Sequence, residues 1–332
     1  MTPVGVDSAA FERRARRFRT AASLAGLALL AAALFVVIRQ AGSLGPTLES
    51  IRDARPHLLA AALALPALSL ALTSLTFWIL TTRYGKVRHL EMLALIGAAW
   101  LLNYLPLWPG MIGRLAYHKR VNGISLQSGA VAVVWANVLS AAASLLTLAA
   151  LALSAALVGP DSAGLGLLAA LPIPAAAALA LQTGLRPPSG DPPFWRLPLT
   201  LAIRLIELHI WAARYWVCFS IVGAPLGWSA ALAIACATQL ATLLPLAGNG
   251  LGLREWAVGL LAPALPIALT RQTALSLQTG LTADLVNRAA ELILAVPIGL
   301  LCAAWIARRL RSAPPPPPAS ASAPASLDPH TP

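Results

Sequence analysis

Charged residues and cysteines are scarce in this sequence. Only 11% of its 332 residues are charged, whereas a soluble domain has about a quarter. This shortage excludes an ordinary soluble domain and indicates surroundings that contain little water. The three cysteines, Cys218, Cys236 and Cys302, lie within apolar stretches without CxxC spacing. A disulfide framework or a cysteine metal site is therefore not expected, and we expect the cysteines to be small buried packing residues.

Lysine is also rare, since 22 of the 24 basic residues are arginine and the net charge is +12. A basic protein of this size could bind nucleic acid. The arginines lie at the ends of apolar stretches, however, and do not form one polar face, so signals of membrane topology explain them better. We expect no nucleic-acid partner.

No catalytic constellation is evident. The five histidines are scattered along the chain, and no Ser–His–Asp or Cys–His pairing suggests a nucleophile and its base. We therefore expect no enzyme activity, no metal site and no cofactor.

Long apolar runs dominate what is present. The hydrophobic fraction is 58% and the mean hydropathy is +0.74. Runs of at least 18 residues cover 21–38, 57–80, 125–158, 163–181 and 274–306. A helix needs about 20 residues to cross a bilayer, and the short alternating segments of a barrel are absent. The sequence predicts an all-α polytopic integral membrane protein.

Three regions follow from this pattern. Residues 1–20 form a basic N-terminus that we expect to be cytoplasmic, and residues 21–311 form a membrane helical domain. Residues 312–332 are rich in Pro, Ala and Ser, which is typical of a disordered tail.

Two apolar segments, 90–120 and 228–269, are interrupted by proline and glycine. They could cross the membrane fully, giving eight spans, or form re-entrant pairs beside six crossing helices. The re-entrant arrangement places 16 basic residues inside and 4 outside, with 4 at membrane depth; full crossing gives 11 against 10. The positive-inside rule favours re-entrance, with both termini cytoplasmic.

The re-entrant arrangement also predicts an inverted repeat, with halves at about 57–157 and 198–306. The order of crossing and re-entrant segments is the same in both halves, and the direction is reversed. The breaking prolines, Pro106 and Pro245, lie 139 residues apart. Broken helices at matching positions of two inverted halves are typical of a binding site near the bilayer midplane.

Ionisable residues within the apolar segments carry the strongest functional signal, because each is costly in a membrane. Helical spacing places Arg204, Glu207 and Arg214 on one face, and Asp284, Arg288 and Glu291 on another. Arg204/Glu207 and Asp284/Arg288 have the spacing of helix ion pairs. Two interpretations remain open: the pairs neutralise one another and hold helices together, or the arginines line a wet cavity and bind an anionic head group.

Glycines and prolines surround both breaks, where they permit backbone that other residues rarely adopt. The set of expected cavity-shaping residues is Pro106, Gly110, Gly113, Pro245, Gly248, Asn249, Gly250 and Gly252. The second break could instead be a flexible external loop. It is not a phosphate loop, because no strand precedes it and no GK[ST] follows.

The two breaks carry a family resemblance. N-x-L-P-x3-G-x2-G-R, from Asn103 to Arg114, and L-P-x-x-G-x-G-x-G-x-R-E, which ends at Glu255, resemble elements of the lysylphosphatidylglycerol synthase transmembrane family, also called flippase-like. The resemblance extends over most of 20–306. It implies a membrane domain that binds or translocates lipids with charged head groups.

Some members of that family also carry a cytoplasmic aminoacyl-transferase domain, for which the residues after 311 leave no room. This chain departs from the family pattern in two places. The helix after the first break, VAVVWANVLSAAAS, has no charge, and Ile112-Gly113 replaces the acidic residue usual before the arginine.

We therefore predict a flippase-like protein of a bacterial inner (plasma) membrane that translocates a phospholipid or polyprenyl-phosphate lipid. The alternative is a non-transporting accessory subunit of a membrane enzyme that modifies lipids or transfers sugars. Arg254, Arg288 and Arg204 are expected to contact the phosphate, while Glu255, Glu207 and Glu291 orient them or contact a cationic group. The full set of expected head-group residues is Arg254, Glu255, Arg288, Arg204, Glu207, Arg214, Asp284, Glu291, Arg114 and Asn103.

Overall fold

The computed structural model describes residues 49, 52–104, 109–158, 172–184, 195–243, 253–264 and 275–312. Within these residues the chain is helical and contains no strand, as predicted. The helices are α1 (Pro56–Thr81), α2 (His89–Leu102), α3 (Pro109–Val121), α4 (Leu126–Val158), α5 (Pro172–Gly184), α6 (Arg196–Ile221), α7 (Trp228–Leu243), α8 (Leu253–Ala264) and α9 (Leu277–Ser312). The predicted first span, 21–38, lies outside the described residues, as does the predicted tail, 312–332, apart from Ser312, which ends α9.

Three of these helices, α1, α4 and α9, are long and apolar enough to cross a membrane by length and composition. Helix α6 has the same length as α1, with 26 residues. It differs in carrying Arg204, Glu207 and Arg214 along its middle. At 1.5 Å per residue, each of these four helices exceeds the roughly 30 Å of a hydrocarbon core.

Five of the described helices are much shorter, and apart from α5 they occur as two consecutive pairs. Helices α2 and α3 have 14 and 13 residues, and α7 and α8 have 16 and 12. Their lengths, about 18 to 24 Å, fall short of a bilayer core. The two helices of each pair pack against each other, and the predicted breaks between them, which include Pro106 and Pro245, lie outside the described residues.

The helix order repeats along the chain. Helices α1 to α4 have 26, 14, 13 and 33 residues, and α6 to α9 have 26, 16, 12 and 36. The contacts repeat as well. Helix α2 packs on α9 as α7 packs on α4, and α1 packs on α2 as α6 packs on α7.

Helices α1 and α6 pack against each other in antiparallel fashion. Ala62, near the start of α1, shares a cluster with Val217 and Ile221 at the end of α6. Leu80, at the other end of α1, packs near Leu197 and Leu201. The two corresponding first helices of the repeat therefore run in opposite directions.

The largest hydrophobic cluster lies in the second half, around α6, α7 and α8. Helix α7 contributes Ala230, Ala231 and Ala235, which are fully buried, because small side chains let neighbouring helices approach closely. Cys218 and Cys236 are buried, as predicted, whereas Cys302 is only half-buried.

Candidate functional site

A cluster of buried charged side chains joins α6, α8 and α9. Most of its members were singled out from the sequence because they are polar residues within apolar helices. Its members are Arg214, Tyr215, Arg254, Glu255, Asp284, Asn287, Arg288 and Glu291, and all are buried.

Glu291 on α9 accepts hydrogen bonds from several directions. Arg254 Nη1 lies 3.1 Å from its Oε1 and 3.2 Å from its Oε2. Arg214 also donates to Oε1. The hydroxyl of Tyr104, which follows α2, donates to Oε2 at 3.1 Å. Both carboxylate oxygens are therefore engaged.

Arg254 and Arg288 form further ion pairs across helices. Arg254 Nε lies 3.0 Å from Asp284 Oδ1, and that oxygen also accepts from the Tyr215 hydroxyl at 2.8 Å. Arg288 Nε lies 2.9 Å from Glu255 Oε1. The three arginines of the cluster are thus matched by three carboxylates, and each ion pair crosses from one helix to another or links neighbouring turns.

This pairing differs in part from the sequence prediction. Arg204 and Glu207 form the expected salt bridge. The spacing also suggested a pair between Asp284 and Arg288, but the salt bridges of the described chain join Asp284 to Arg254, and Arg288 to Glu255 and Glu291. In this cluster the geometry fits the interpretation in which ion pairs hold helices together.

A cavity of about 300 Å³ lies next to the cluster and is lined by residues of α1, α2, α3, α4, α6, α7 and α9. Six of the expected head-group residues line it: Asn103, Arg114, Arg204, Glu207, Arg214 and Glu291. The other four, Arg254, Glu255, Asp284 and Arg288, are not part of its described lining and form a layer behind Glu291 and Arg214. Arg254 and Arg288, which were expected to contact phosphate, therefore lie outside the described lining. They bind the carboxylates of Asp284 and Glu255 there.

Glu207 lies on the α6 wall of the cavity. It is paired with Arg204, and its Oε1 accepts a 2.6 Å hydrogen bond from Thr73 Oγ1 on α1. The side chain is thus held in place from two helices, and each of its oxygens has a donor.

Arg114, on α3, has different surroundings. It is 7% exposed, and its guanidinium carbon lies 3.8 Å from the centroid of the Phe77 ring, a cation–π contact. Within the described ranges no salt bridge reaches it. It is the buried arginine of the cavity wall that depends on an aromatic ring instead of a carboxylate.

The two described glycines of the first break have different environments. A Cβ built on Gly110 would lie 2.6 Å from the Ala99 carbonyl oxygen and 2.8 Å from Ala99 Cα, whereas one on Gly113 would meet nothing within 4 Å. Gly110 is therefore a point of close contact between α3 and α2, and Gly113 borders open space. The other expected cavity-shaping residues, Pro106, Pro245, Gly248, Asn249, Gly250 and Gly252, lie outside the described residues.

Several residues of the site were not predicted from the sequence. Ser69, Thr73 and Phe77 line the cavity from α1, and Tyr104 and Tyr215 bind the carboxylates. A signal was present, because Pro66, Ser69, Thr73 and Phe77 recur at helical spacing on one face of α1. Hydroxyl and aromatic side chains are common in apolar helices, however, so this stripe is weaker than a stripe of charges.

Among the described residues, no group of three or more His, Cys, Asp or Glu side chains could hold a metal ion. No protein-family model and no curated protein sequence matches this chain. The cavity and its charges are therefore the features that indicate a function.

Proposed function

We propose that this protein binds the head group of an anionic or zwitterionic lipid in the cavity and moves it across the membrane in which the helices lie. The observation that carries the proposal is the cavity itself. It is lined by Arg114, Arg204 and Arg214 among apolar helices, and arginine forks match phosphate oxygens in two-point contacts.

The size of the cavity fits a head group and not a whole lipid. Pockets for small molecules occupy about 300 to 1,000 Å³, and this cavity lies at the lower limit with about 300 Å³. A phosphate with a small substituent can be accommodated, while the acyl chains have to remain among the surrounding lipids.

The proposed arrangement has six crossing helices, two re-entrant helix pairs and an inverted repeat. The repeated helix lengths and contacts support it, as does the antiparallel packing of α1 and α6. Two antiparallel helices such as α1 and α6 are exchanged by a two-fold axis perpendicular to them. An axis of this direction is expected for inverted halves. The short paired helices favour re-entrance over full crossing. Both termini are then cytoplasmic, in a plasma membrane.

The cavity geometry changes the roles proposed for individual residues. Arg114, Arg204 and Arg214, which line the cavity, are the arginines that we propose as phosphate ligands. Arg254 and Arg288 instead orient Glu291 and Glu255, and together with Asp284 they form the support behind the cavity wall. This support keeps Arg214 in place through Glu291 and Asn287.

Reconstitution into vesicles tests the transport proposal. We expect the full chain to move fluorescent phosphatidylglycerol between leaflets, as measured by chemical quenching of the outer leaflet, faster than in empty vesicles. Arg204→Gln should reduce this rate by at least about tenfold, because a buried phosphate contact of about 1.4 kcal/mol corresponds to a tenfold change. Arg83→Gln is the matched control, since Arg83 is not part of the described cavity lining.

Two results separate the competing functions. If the wild-type chain moves labelled lipid no faster than empty vesicles, transport is excluded and the accessory-subunit alternative stands. If Arg204→Gln and Arg83→Gln both transport like the wild type, the cavity is not the route.

A further inference from the structure

Arg114 is a buried cation for which the described part of the chain supplies no salt-bridge partner. It is 7% exposed and lies on Phe77. In the part of the chain that the structure describes, no carboxylate lies within salt-bridge distance of it. The segments that continue the chain from Asn103 and Leu243, namely 105–108 and 244–252, contain no Asp or Glu. Neither segment can therefore supply the missing negative charge.

The two carboxylates of the cavity wall do not offset this charge, because they are already engaged. The oxygens of Glu207 accept from Thr73 and Arg204. Those of Glu291 accept from Arg214, Arg254 and Tyr104. Among the described residues, five arginines of the cavity and the cluster behind it, including Arg114, face four carboxylates, so one positive charge is left over at the cavity. The one further buried carboxylate of these residues, Glu91 on α2, does not line the cavity and forms no salt bridge with Arg114.

Further donors face the same space. Arg204 lies 6.0 Å from the centroid of the Phe77 ring that also carries Arg114, so two guanidinium groups share one aromatic side chain. Arg204 Nε and Trp211 Nε1 are buried and have no hydrogen-bond partner within the described chain, and both residues line the cavity. One acceptor, Asn103 Oδ1, is also unpartnered and can receive a hydroxyl group.

We propose that the cavity selects phosphate esters of net negative charge, with Arg114 as the main ligand of the phosphate, and disfavours head groups whose phosphate is balanced by an attached cation. This selectivity rests on the proposed lipid-handling function and narrows its substrate class. A bound anionic phosphate supplies the missing charge and accepts from Arg204 and Trp211. A quaternary ammonium or amino group finds no unengaged carboxylate in the described lining.

The missing salt-bridge partner of Arg114 should produce an unusual combination of effects on stability and binding. A buried charge without a partner is costly, so Arg114 destabilises the ligand-free protein. Binding of an anion offsets this cost. Replacing it with a neutral residue should therefore stabilise the empty protein and weaken anion binding. A residue with a purely structural role would show the opposite effect on stability.

Binding is measured first, with the detergent-solubilised full chain and short-chain lipids, from the shift in thermal unfolding temperature with lipid concentration. We expect the wild type to bind phosphatidylglycerol at least about tenfold more tightly than phosphatidylcholine. Arg114→Gln should abolish this preference and raise the unfolding temperature without lipid, while Arg114→Lys should retain part of the preference. Arg83→Gln, which removes the same charge elsewhere, should leave the preference unchanged.

Phe77→Leu provides a second test that keeps every charge, which matters if Arg114→Gln does not fold. Loss of the ring that positions Arg114 should weaken the preference for phosphatidylglycerol several-fold. An unchanged preference in Phe77→Leu, or in a folded Arg114→Gln, would contradict the assignment.

Three further results distinguish lipid selectivity from lipid transport and from the binding of a free anion. Equal affinity of the wild type for the two lipids overturns the selectivity even if both are transported. A clear preference in binding without transport supports the selectivity while the transport proposal fails. If inorganic phosphate binds as tightly as phosphatidylglycerol, the ligand is a free anion and the lipid assignment is overturned.

Discussion

At the level of single residues, Glu291 links the largest number of buried charges. It accepts hydrogen bonds from Arg214 on α6, Arg254 on α8 and Tyr104 at the end of α2, and it is only 2% exposed. Removing one member of a buried ion network leaves the others uncompensated, and this costs more than the network contributes by itself.

Glu291→Gln should therefore destabilise the protein strongly, by about 3 to 5 kcal/mol. The amide keeps the size of the side chain but leaves Arg214 and Arg254 with one carboxylate fewer. The measurement is the thermal unfolding temperature of the purified chain in detergent. Asp53→Asn, at an exposed position, is the control and should change the temperature little. Equal behaviour of the two variants would show that the network does not stabilise the fold.

The sequence predicted which residues belong to the polar stripes but only part of their pairing. Arg204 and Glu207 were paired correctly because helix geometry alone brings residues three apart together. Asp284 and Arg288 are spaced equally well, yet they bind Arg254 and Glu255 on α8. These partners depend on which helices pack against each other, and the residue spacing within one helix does not show this.

At the level of helices, the pair α2 and α3 depends on one close contact. Gly110 at the start of α3 lies against the backbone of Ala99 on α2. Gly113 lies one turn later in the same helix and faces open space. The two glycines therefore offer a matched comparison within 13 residues of helix.

Gly110→Ala should destabilise the protein by about 1 to 3 kcal/mol, because the added methyl group forces the two helices apart. Gly113→Ala should be neutral or stabilise by about 0.5 to 1 kcal/mol, because alanine is the better helix former where space is available. Both are read from unfolding temperatures. A smaller effect at Gly110 than at Gly113 would contradict the close packing of this pair.

The helices themselves were largely predictable. The sequence predicted long apolar runs at 57–80, 125–158 and 274–306, and the structure has the helices α1, α4 and α9 there. Long apolar runs determine such helices directly. The predicted crossing at 163–181 is described only from Pro172, in the 13-residue helix α5, so its full length remains a prediction.

At the level of the whole molecule, the proposed inverted repeat makes opposite predictions for the two breaks. In that arrangement the first re-entrant pair opens to the cytoplasm and the second to the outside. If the short helices crossed the membrane fully, the two breaks would be accessible from other sides of the membrane than in the re-entrant arrangement. The two arrangements can therefore be distinguished by accessibility.

Cysteine labelling in intact cells and inverted vesicles tests this arrangement, in a variant with the three native cysteines replaced by alanine. Gly113→Cys should react with an impermeant maleimide from the cytoplasmic side only, and Gly248→Cys from the outside only. Reaction of Gly113→Cys from the outside would rule out re-entrance of the first pair. Arg308→Cys, at the exposed end of α9 that the proposed arrangement assigns to the cytoplasm, serves as the orientation control.

The two halves of the molecule share one helix layout but differ in the contacts that hold their short helices. In the second half, ion pairs of Arg254 and Arg288 fasten α8 to α9, whereas no salt bridge of the described chain ties α3 to a neighbouring helix. Displacing α3 therefore breaks a cation–π contact and van der Waals packing, while displacing α8 separates charges in a medium that penalises it. We therefore expect α3 to move more readily than α8, so similar helix layouts in the two halves do not imply equal motion in both.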